Sequence, residues 1–206
     1  MSYDDFSPPS WEAPIDVAAH VNATPAAATI KGLFATAIVE ACEAAGTHPK
    51  HAHARYLPFT DYPMRDYVPL LAEAARILHP RLTVRNGLRK IGRASQPTFE
   101  RSVVGKVIFG TTHDVPSALE AIVKAYRVAT PSATIEIRSI AERRAVLHIG
   151  GITTFLDSHH VGLLEGVTRA AGASVEITVN LSSIASCDFL VEWGAGDRYE
   201  KPSSIR

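Results

Sequence analysis

Three of the nine histidines in this 206-residue chain stand almost together, as Thr47-His48-Pro49-Lys50-His51-Ala52-His53-Ala54-Arg55. Neutral imidazoles at that spacing are ligands for zinc or copper. The segment adds no carboxylate or thiolate, and Lys50 and Arg55 repel a cation, so a solvated loop is the simpler expectation for His48, His51 and His53. A second pair, His159 and His160, follows Asp157 and Ser158. Adjacent residues on a helix project about 100° apart, which suits one shared metal poorly. Asp157 or Ser158 is expected to cap the helix by accepting from its free first-turn N–H groups.

Arg81, Arg85, Arg89 and Arg93 recur every four residues, so a helix would stack them in one slowly drifting stripe. From 80 to 110, seven basic residues (Arg81, Arg85, Arg89, Lys90, Arg93, Arg101 and Lys106) face the single acid Glu100. Guanidinium groups recognise anions bidentately, which makes this stripe a candidate contact for an acidic protein, a nucleotide or a phosphorylated partner. Acids elsewhere in the fold are the alternative that would compensate it. No DNA-reading motif accompanies it, so nucleic acid is not an expected partner. Glu165 and a strand-borne His148 would make a general acid–base pair, yet neither nucleophile nor metal set goes with them. The expectation is therefore a non-enzymatic chain with no metal site and no cofactor.

The formal charge is zero, from 21 basic and 21 acidic residues, and no global field favours nucleic acid or an anionic membrane. A hydrophobic content of 46% marks a globular chain. The two cysteines, Cys42 and Cys187, read as buried thiols rather than a disulfide framework. The first residues lack a basic stretch followed by an apolar one, and no window approaches the roughly 18 apolar residues of a membrane span, so a soluble cytoplasmic location without membrane contact is expected.

These groups must be positioned by a mixed set of elements. Residues 1–26, with Pro8, Pro9, Pro14 and Pro25, are expected to form a flexible arm, 27–194 a single domain, and 195–206 a flexible tail. Helical spacing of Ile30, Leu33, Phe34, Ala37, Ile38 and Ala41 predicts a helix over 29–45. An aromatic, proline-broken stretch from Thr47 to Tyr62 reads as a buried loop or flap. A helix from Pro63 to about Leu78 contains Pro69, where it would begin or bend. Two helices follow, over 83–92 and 97–109, separated near Gly92 and Pro97, the second with Phe99, Val103, Val104, Val107 and Ile108 as its buried stripe. Another spans 116–127, with Leu119, Ile122, Val123 and Tyr126 inward.

The period then changes from 3.6 to 2. Ile135 and Ile137 alternate with Glu136 and Arg138, and Ala145–Ile149 answers them as a hairpin. Two further strands run through Val175–Leu181 and Cys187–Trp193, and a helix over 157–171, carrying Gly162 and Gly166, lies between the pairs. The fold class is α+β: a helical N-terminal layer packed on a four-stranded antiparallel sheet with a crossing helix, in the order ββαββ. Gly162 and Gly166, one turn apart, are expected to let that helix approach the sheet backbone.

Several of these motifs resemble a myxobacterial family of unknown function over about residues 29–193. They are Ile30-Lys31-Gly32-Leu33-Phe34, Arg55-Tyr56-Leu57-Pro58-Phe59, Asp61-Tyr62-Pro63, Gly87-Leu88-Arg89-Lys90-Ile91-Gly92-Arg93, Ser102-Val103-Val104-Gly105-Lys106-Val107, Ala125-Tyr126-Arg127 and Phe155-Leu156-Asp157 followed by Gly162, Glu165 and Gly166. More distantly, Gly162, Gly166 and Cys187-Asp188-Phe189 are similar to the superfamily of 4-vinyl-reductase-type domains, haem nitric-oxide-binding domains and Bet3-like trafficking subunits. That likeness implies a ligand-binding or interaction module, often a homodimer. It also raises haem, whose Tyr-x-Ser-x-Arg signature is absent here: Tyr126 is followed by Arg127, Val128, Ala129 and Thr130, and the 116–127 helix holds no histidine, leaving His113 as the nearby one.

The functional expectation is a regulatory or signalling module that binds a small apolar ligand or scaffolds a protein partner, with a haem- or metal-binding sensor or enzyme as the alternative. The ligand crevice, between helix and sheet, would be lined by Tyr56, Phe59, Tyr126, Phe155, Leu163, Val167, Phe189 and Trp193, since aromatic and aliphatic walls suit a hydrophobic ligand.

Overall fold

A computed structural model describes residues 2–101, 106 and 112–194, the side chains of 96–101 excepted. The helical lobe consists of α1 (Val17–Ala23), α2 (Gly32–Ala44), α3 (Met64–Leu78) and α4 (Val84–Arg101). A two-stranded ribbon, β1 (Thr29–Lys31) against β2 (Asp61–Pro63), precedes α2 and α3. Helix α5 (Val115–Ala129) leads into the hairpin β3 (Thr134–Ala141) and β4 (Arg144–Gly150). A wide turn, Leu156–His160, opens α6 (Val161–Ala170), and β5 (Val175–Ser183) and β6 (Ser186–Trp193) close the fold. The sheet is antiparallel throughout, in the order β3-β4-β6-β5. The α+β architecture and its ββαββ half are as the changing period predicts.

Two apolar cores hold the molecule. One fills the helical lobe with Val68, Leu70, Leu71, Leu88 and their neighbours. The other fills the space between α5, α6 and the inward residues of the sheet, Leu147, Ile149, Ile177, Phe189 and Val191 among them. Alternation makes this possible, because in each strand the residues between, such as Glu136, His148, Asp188 and Asn180, project to the opposite face. Each fully buried large side chain contributes roughly 1.5–3 kcal/mol.

Three sequence expectations change. Residues 29–31 are strand, paired through Ile30 and Tyr62, and the helix begins at Gly32. Helix α4 runs on without a break at Gly92 or Pro97, and the stripe of Val103, Val104, Val107 and Ile108, with the side chain of Phe99, lies outside the described residues, as does the 195–206 tail. The 47–62 loop is not buried: Leu57 and Phe59 are exposed. The N-terminal segment makes hydrogen bonds to the rest of the fold. Asp16 caps α1, the Ser7 and Val179 backbones exchange hydrogen bonds of 3.0 and 2.9 Å, and Thr83 and Arg85 donate to the carbonyls of Trp11 and Ala13. Proline-rich chain cannot build a core, but it can lie extended along one, with its backbone groups satisfied by side chains of α4 and by the β5 edge.

Candidate ligand-binding site at the seam of two cores

The site begins at Phe155, the one non-glycine residue among those described with a positive φ, 62°. A left-handed backbone costs an aromatic residue about 1–2 kcal/mol, and such strain persists only where packing enforces it. Here the kink sends successive side chains into different cores: Phe155 is wholly buried in the helical lobe, stacked at 4.5 Å on the ring of His20, while Leu156 joins the sheet-side core. The turn that follows is π-helical, and its N–H groups from Ser158, His159 and His160 converge on the Phe155 carbonyl. No side chain caps it. Asp157, the expected cap, is instead paired with Arg85, because a guanidinium offers a carboxylate a stronger partner than an amide does.

This turn buries both histidines, with rings 5.2 Å apart and nearly perpendicular. Their surroundings differ. His160 is fully engaged: Nδ1 pairs with the Tyr126 hydroxyl and Nε2 lies 2.7 Å from Thr154 Oγ1, so one nitrogen donates and the other accepts. Neither ring nitrogen of His159 has a partner among the described residues. Burial pushes the His159 imidazolium down to about 4 and, with His159 beside it, holds His160 well below the ordinary histidine range, so both are neutral at pH 7. Burial also raises the Tyr126 hydroxyl, which remains protonated and available to hydrogen-bond.

His159 and His160 line a cavity of about 80 Å³ at the seam. Its helical-lobe wall is Ile30, Phe34, Met64 and Tyr67; its other walls come from Ile122 and Tyr126 on α5, Ile152 and Thr154 before the turn, and Leu163 and Val167 on α6. Of the eight residues expected to line a crevice, the structure brings three here: Tyr126, Leu163 and Val167. The other five lie elsewhere. Tyr56 packs edge-on against Tyr62 and accepts from the His53 N–H; Phe59, 74% exposed, tips the loop beyond Pro58; Phe155 is turned away by its backbone; Phe189 is packed solid in the sheet core; Trp193 lies half-buried at the core's edge. Sequence reasoning weighed His159 only as a metal ligand beside His160, and its spacing carried no signal of a cavity wall.

The arginine stripe also lands at this seam. Arg89 and Arg93 both pair with Glu165, and Arg85 with Asp157, across the contact between α4 and α6. Desolvation would raise the Glu165 carboxyl, but the hydrogen bonds and charges of Arg89 and Arg93 outweigh it and hold it below the usual carboxylate range. These guanidiniums are thus committed within the fold, and Arg81 is the exposed member of the stripe. The glycines serve the same contact. A Cβ on Gly162 would stand 2.0 Å from the Arg89 carbonyl oxygen, one on Gly166 2.7 Å from that of Arg93, and one on Gly92 2.0 Å from that of His159. They seat α6 on α4, and not on the sheet, which is met by Val161 and Leu164 on the opposite side of the helix. Gly92 therefore lies inside one long helix as a contact point rather than a break.

The remaining candidates do not assemble. Each loop histidine has its own carboxylate, His48 with Glu43, His51 with Glu73 and His53 with Asp66. Among the described residues no group of three or more His, Cys, Asp or Glu side chains is placed to hold a metal ion. His148 faces Asp188 at 2.8 Å on the outer face of the sheet, so it and Glu165 have different partners. Both cysteines are free and buried. No helix among the described residues is long and apolar enough to cross a membrane.

The fold is similar to solved H-NOX structures. The Fe(II) unliganded H-NOX protein from K. algicida aligns with 81% of this chain and 98% of its own, at a TM-score of 0.61 and 13% identity. The H-NOX domain from Shewanella oneidensis in the Fe(II)CO ligation state aligns with 80% of this chain and 99% of its own, at 0.60 and 15%. At these identities the likeness establishes the fold alone. Residues 24–194 match a family described as "Protein of unknown function (DUF2378)". No curated protein matches the chain.

Proposed function

Since the chain belongs to the DUF2378 family, whose description assigns no activity, we propose from the site itself that it is a non-enzymatic sensor domain for a small, chiefly apolar ligand held at the seam cavity. The observation that carries this reading is His159: a buried imidazole with two unpartnered nitrogens on the wall of an apolar cavity. Buried polar groups are almost always hydrogen-bonded, and an exception calls for a missing partner. A ligand with one hydrogen-bonding atom would supply it. Size narrows the class, because an apolar cavity of about 150 Å³ accommodates benzene and this one is smaller. A molecule of a few heavy atoms fits, with His159 orienting its polar end. Because Phe155 and Leu156 are anchored in different cores, occupancy beside them would bear on both lobes, which is how a signal would pass to a protein partner or across a homodimer.

Haem is the ligand to weigh against this, as the H-NOX neighbours are described with Fe(II) and heme. His159 is the feature that favours it, being a buried imidazole free to act as a ligand. The rest of the site does not fit. A macrocycle needs several times the available volume, given that drug-sized ligands already occupy roughly 300–1,000 Å³. Among the described residues neither Lys nor Arg lines the cavity to meet the propionates, and α5 carries no histidine.

Native mass spectrometry of freshly purified protein, beside the denatured mass, tests both readings. A retained small molecule that is lost in His159→Leu is expected. A stoichiometric Soret band would overturn the assignment in favour of haem, and an empty wild-type protein that binds no molecule of a few heavy atoms with one hydrogen-bonding end, such as acetone or propan-2-ol, would overturn the sensor reading.

A further inference from the structure

A second, larger cavity, of about 380 Å³, lies on the other side of the wall formed by Phe34, Tyr67 and Ser95. It is within the size range of ligand pockets, roughly 300–1,000 Å³. Helix α2 provides Leu33, Ala37 and Ile38, α3 provides Leu78, and α4 provides Ile91 and Ala94. Small and aliphatic side chains from three helices thus make most of the slot's wall. Its polarity is one-sided. Beside Tyr67, whose hydroxyl burial keeps protonated, the ionisable groups on its lining are His79, just past the end of α3, and Lys90 on α4, and no carboxylate lines it among the described residues. Lys90 is exposed and, among those residues, has no carboxylate partner, unlike Arg85, Arg89 and Arg93 on the same helix.

We propose that this slot binds a fatty-acid anion, its acyl chain between α2, α3 and α4 and its carboxylate at Lys90 and His79. Chiefly apolar walls match a hydrocarbon chain, and an ammonium at the rim without a carboxylate partner among the described residues matches one negative head group. Burial and the nearby Lys90 charge both lower the His79 imidazolium, so His79 meets the carboxylate as a neutral N–H donor while Lys90 supplies the charge. The assignment stands apart from the sensor reading, since it uses neither His159 nor the inner cavity.

The test is isothermal titration of decanoate and of the neutral decan-1-ol into the full chain. Wild-type protein is expected to bind both. Lys90→Glu, at an exposed position, should weaken decanoate at least about tenfold and leave decan-1-ol within about twofold. Ala37→Phe, shown folded by circular dichroism, should abolish both by filling the slot. His159→Leu should change neither, which separates a failure here from a failure of the inner site. No decanoate binding by wild type, equal affinity in Lys90→Glu, or undiminished binding by Ala37→Phe would overturn the proposal. Loss of decanoate binding in His159→Leu would also do so, by placing the chain in the inner cavity.

Discussion

The α4–α6 contact and the cavity beside it are built from the same stretch of chain and treat buried polarity in opposite ways. Along the contact every charge is answered: Arg85 has Asp157, and Arg89 and Arg93 share Glu165, with Trp11 lying 4.4 Å over the Arg89 guanidinium. One turn away, His159 is left with nothing. Ion pairs at such a contact are weak evidence of net stability, but removing one partner is expensive. An orphaned imidazole is a standing cost that an apolar side chain would avoid. The first region is therefore organised to hold two helices in one register, and the second keeps a destabilising group where a ligand would use it.

The comparison breaks most severely at the glycines. Gly162→Ala places a methyl against the Arg89 carbonyl, a backbone atom that cannot swing aside, and should destabilise by about 4 kcal/mol or prevent folding. Gly46→Ala, with open space around it, is the control; only the cost of its positive φ, about 1 kcal/mol, is expected there. Urea denaturation of both variants measures the difference. Acidification comes next. His159 and His160 have folded pKa values below their unfolded ones, so the unfolded chain takes up their protons first and stability falls as pH drops below about 6.5. Two such groups should remove about 2–3 kcal/mol between pH 7.5 and 5.5, seen as a lowered urea midpoint. Glu165→Gln should cost about 2 kcal/mol at neutral pH, less than a fully buried pair because both arginines are partly exposed. The sign of its pH dependence is that of a depressed carboxyl: the stabilisation is present above the unfolded value of 4.5 and is lost as pH falls through the folded one, so mutant and wild type should converge in acid.

Sheet and helices were legible because a period of 2 or 3.6 is written along the chain, from Ile135 to Trp193 and from Leu119 to Tyr126. What periodicity omits is the partner. Gly162 and Gly166 announced a close approach but not that α4 would be the one approaching, although the i, i+4 spacing of Arg85, Arg89 and Arg93 and the two-turn spacing of Asp157 and Glu165 were complementary from the start. The cavity was half legible. Tyr126, Leu163 and Val167 sit on regular elements whose faces can be read from spacing. Phe155 and Phe59 do not, since a single left-handed residue and a proline turn reorient them, and neither event has a periodic signature. The contacts of the N-terminal segment were invisible for a related reason: several are hydrogen bonds to its backbone, which every sequence possesses, and its apolar contacts, from Trp11, Ile15, Val17 and Val21, are too few to write a period.

The smallest effect is the one that decides between the two regions. His159→Leu replaces a desolvated imidazole with an apolar side chain of similar reach, and if the ring lacks partners the variant should be more stable than wild type by about 1 kcal/mol at pH 7.5. It should also lose up to one proton from the acid dependence between pH 6.5 and 5.5, while His160, His20 and His79 remain to titrate. The equivalent change at His160 has the opposite sign: His160→Leu strands the Tyr126 hydroxyl and Thr154, and should destabilise by about 2 kcal/mol. Adjacent histidines with opposite mutational signs would identify His159 as kept for binding rather than for folding. Destabilisation by both, measured in urea on ligand-free protein, would mean that His159 is as firmly bonded as its neighbour and that the cavity holds no vacant hydrogen-bonding position.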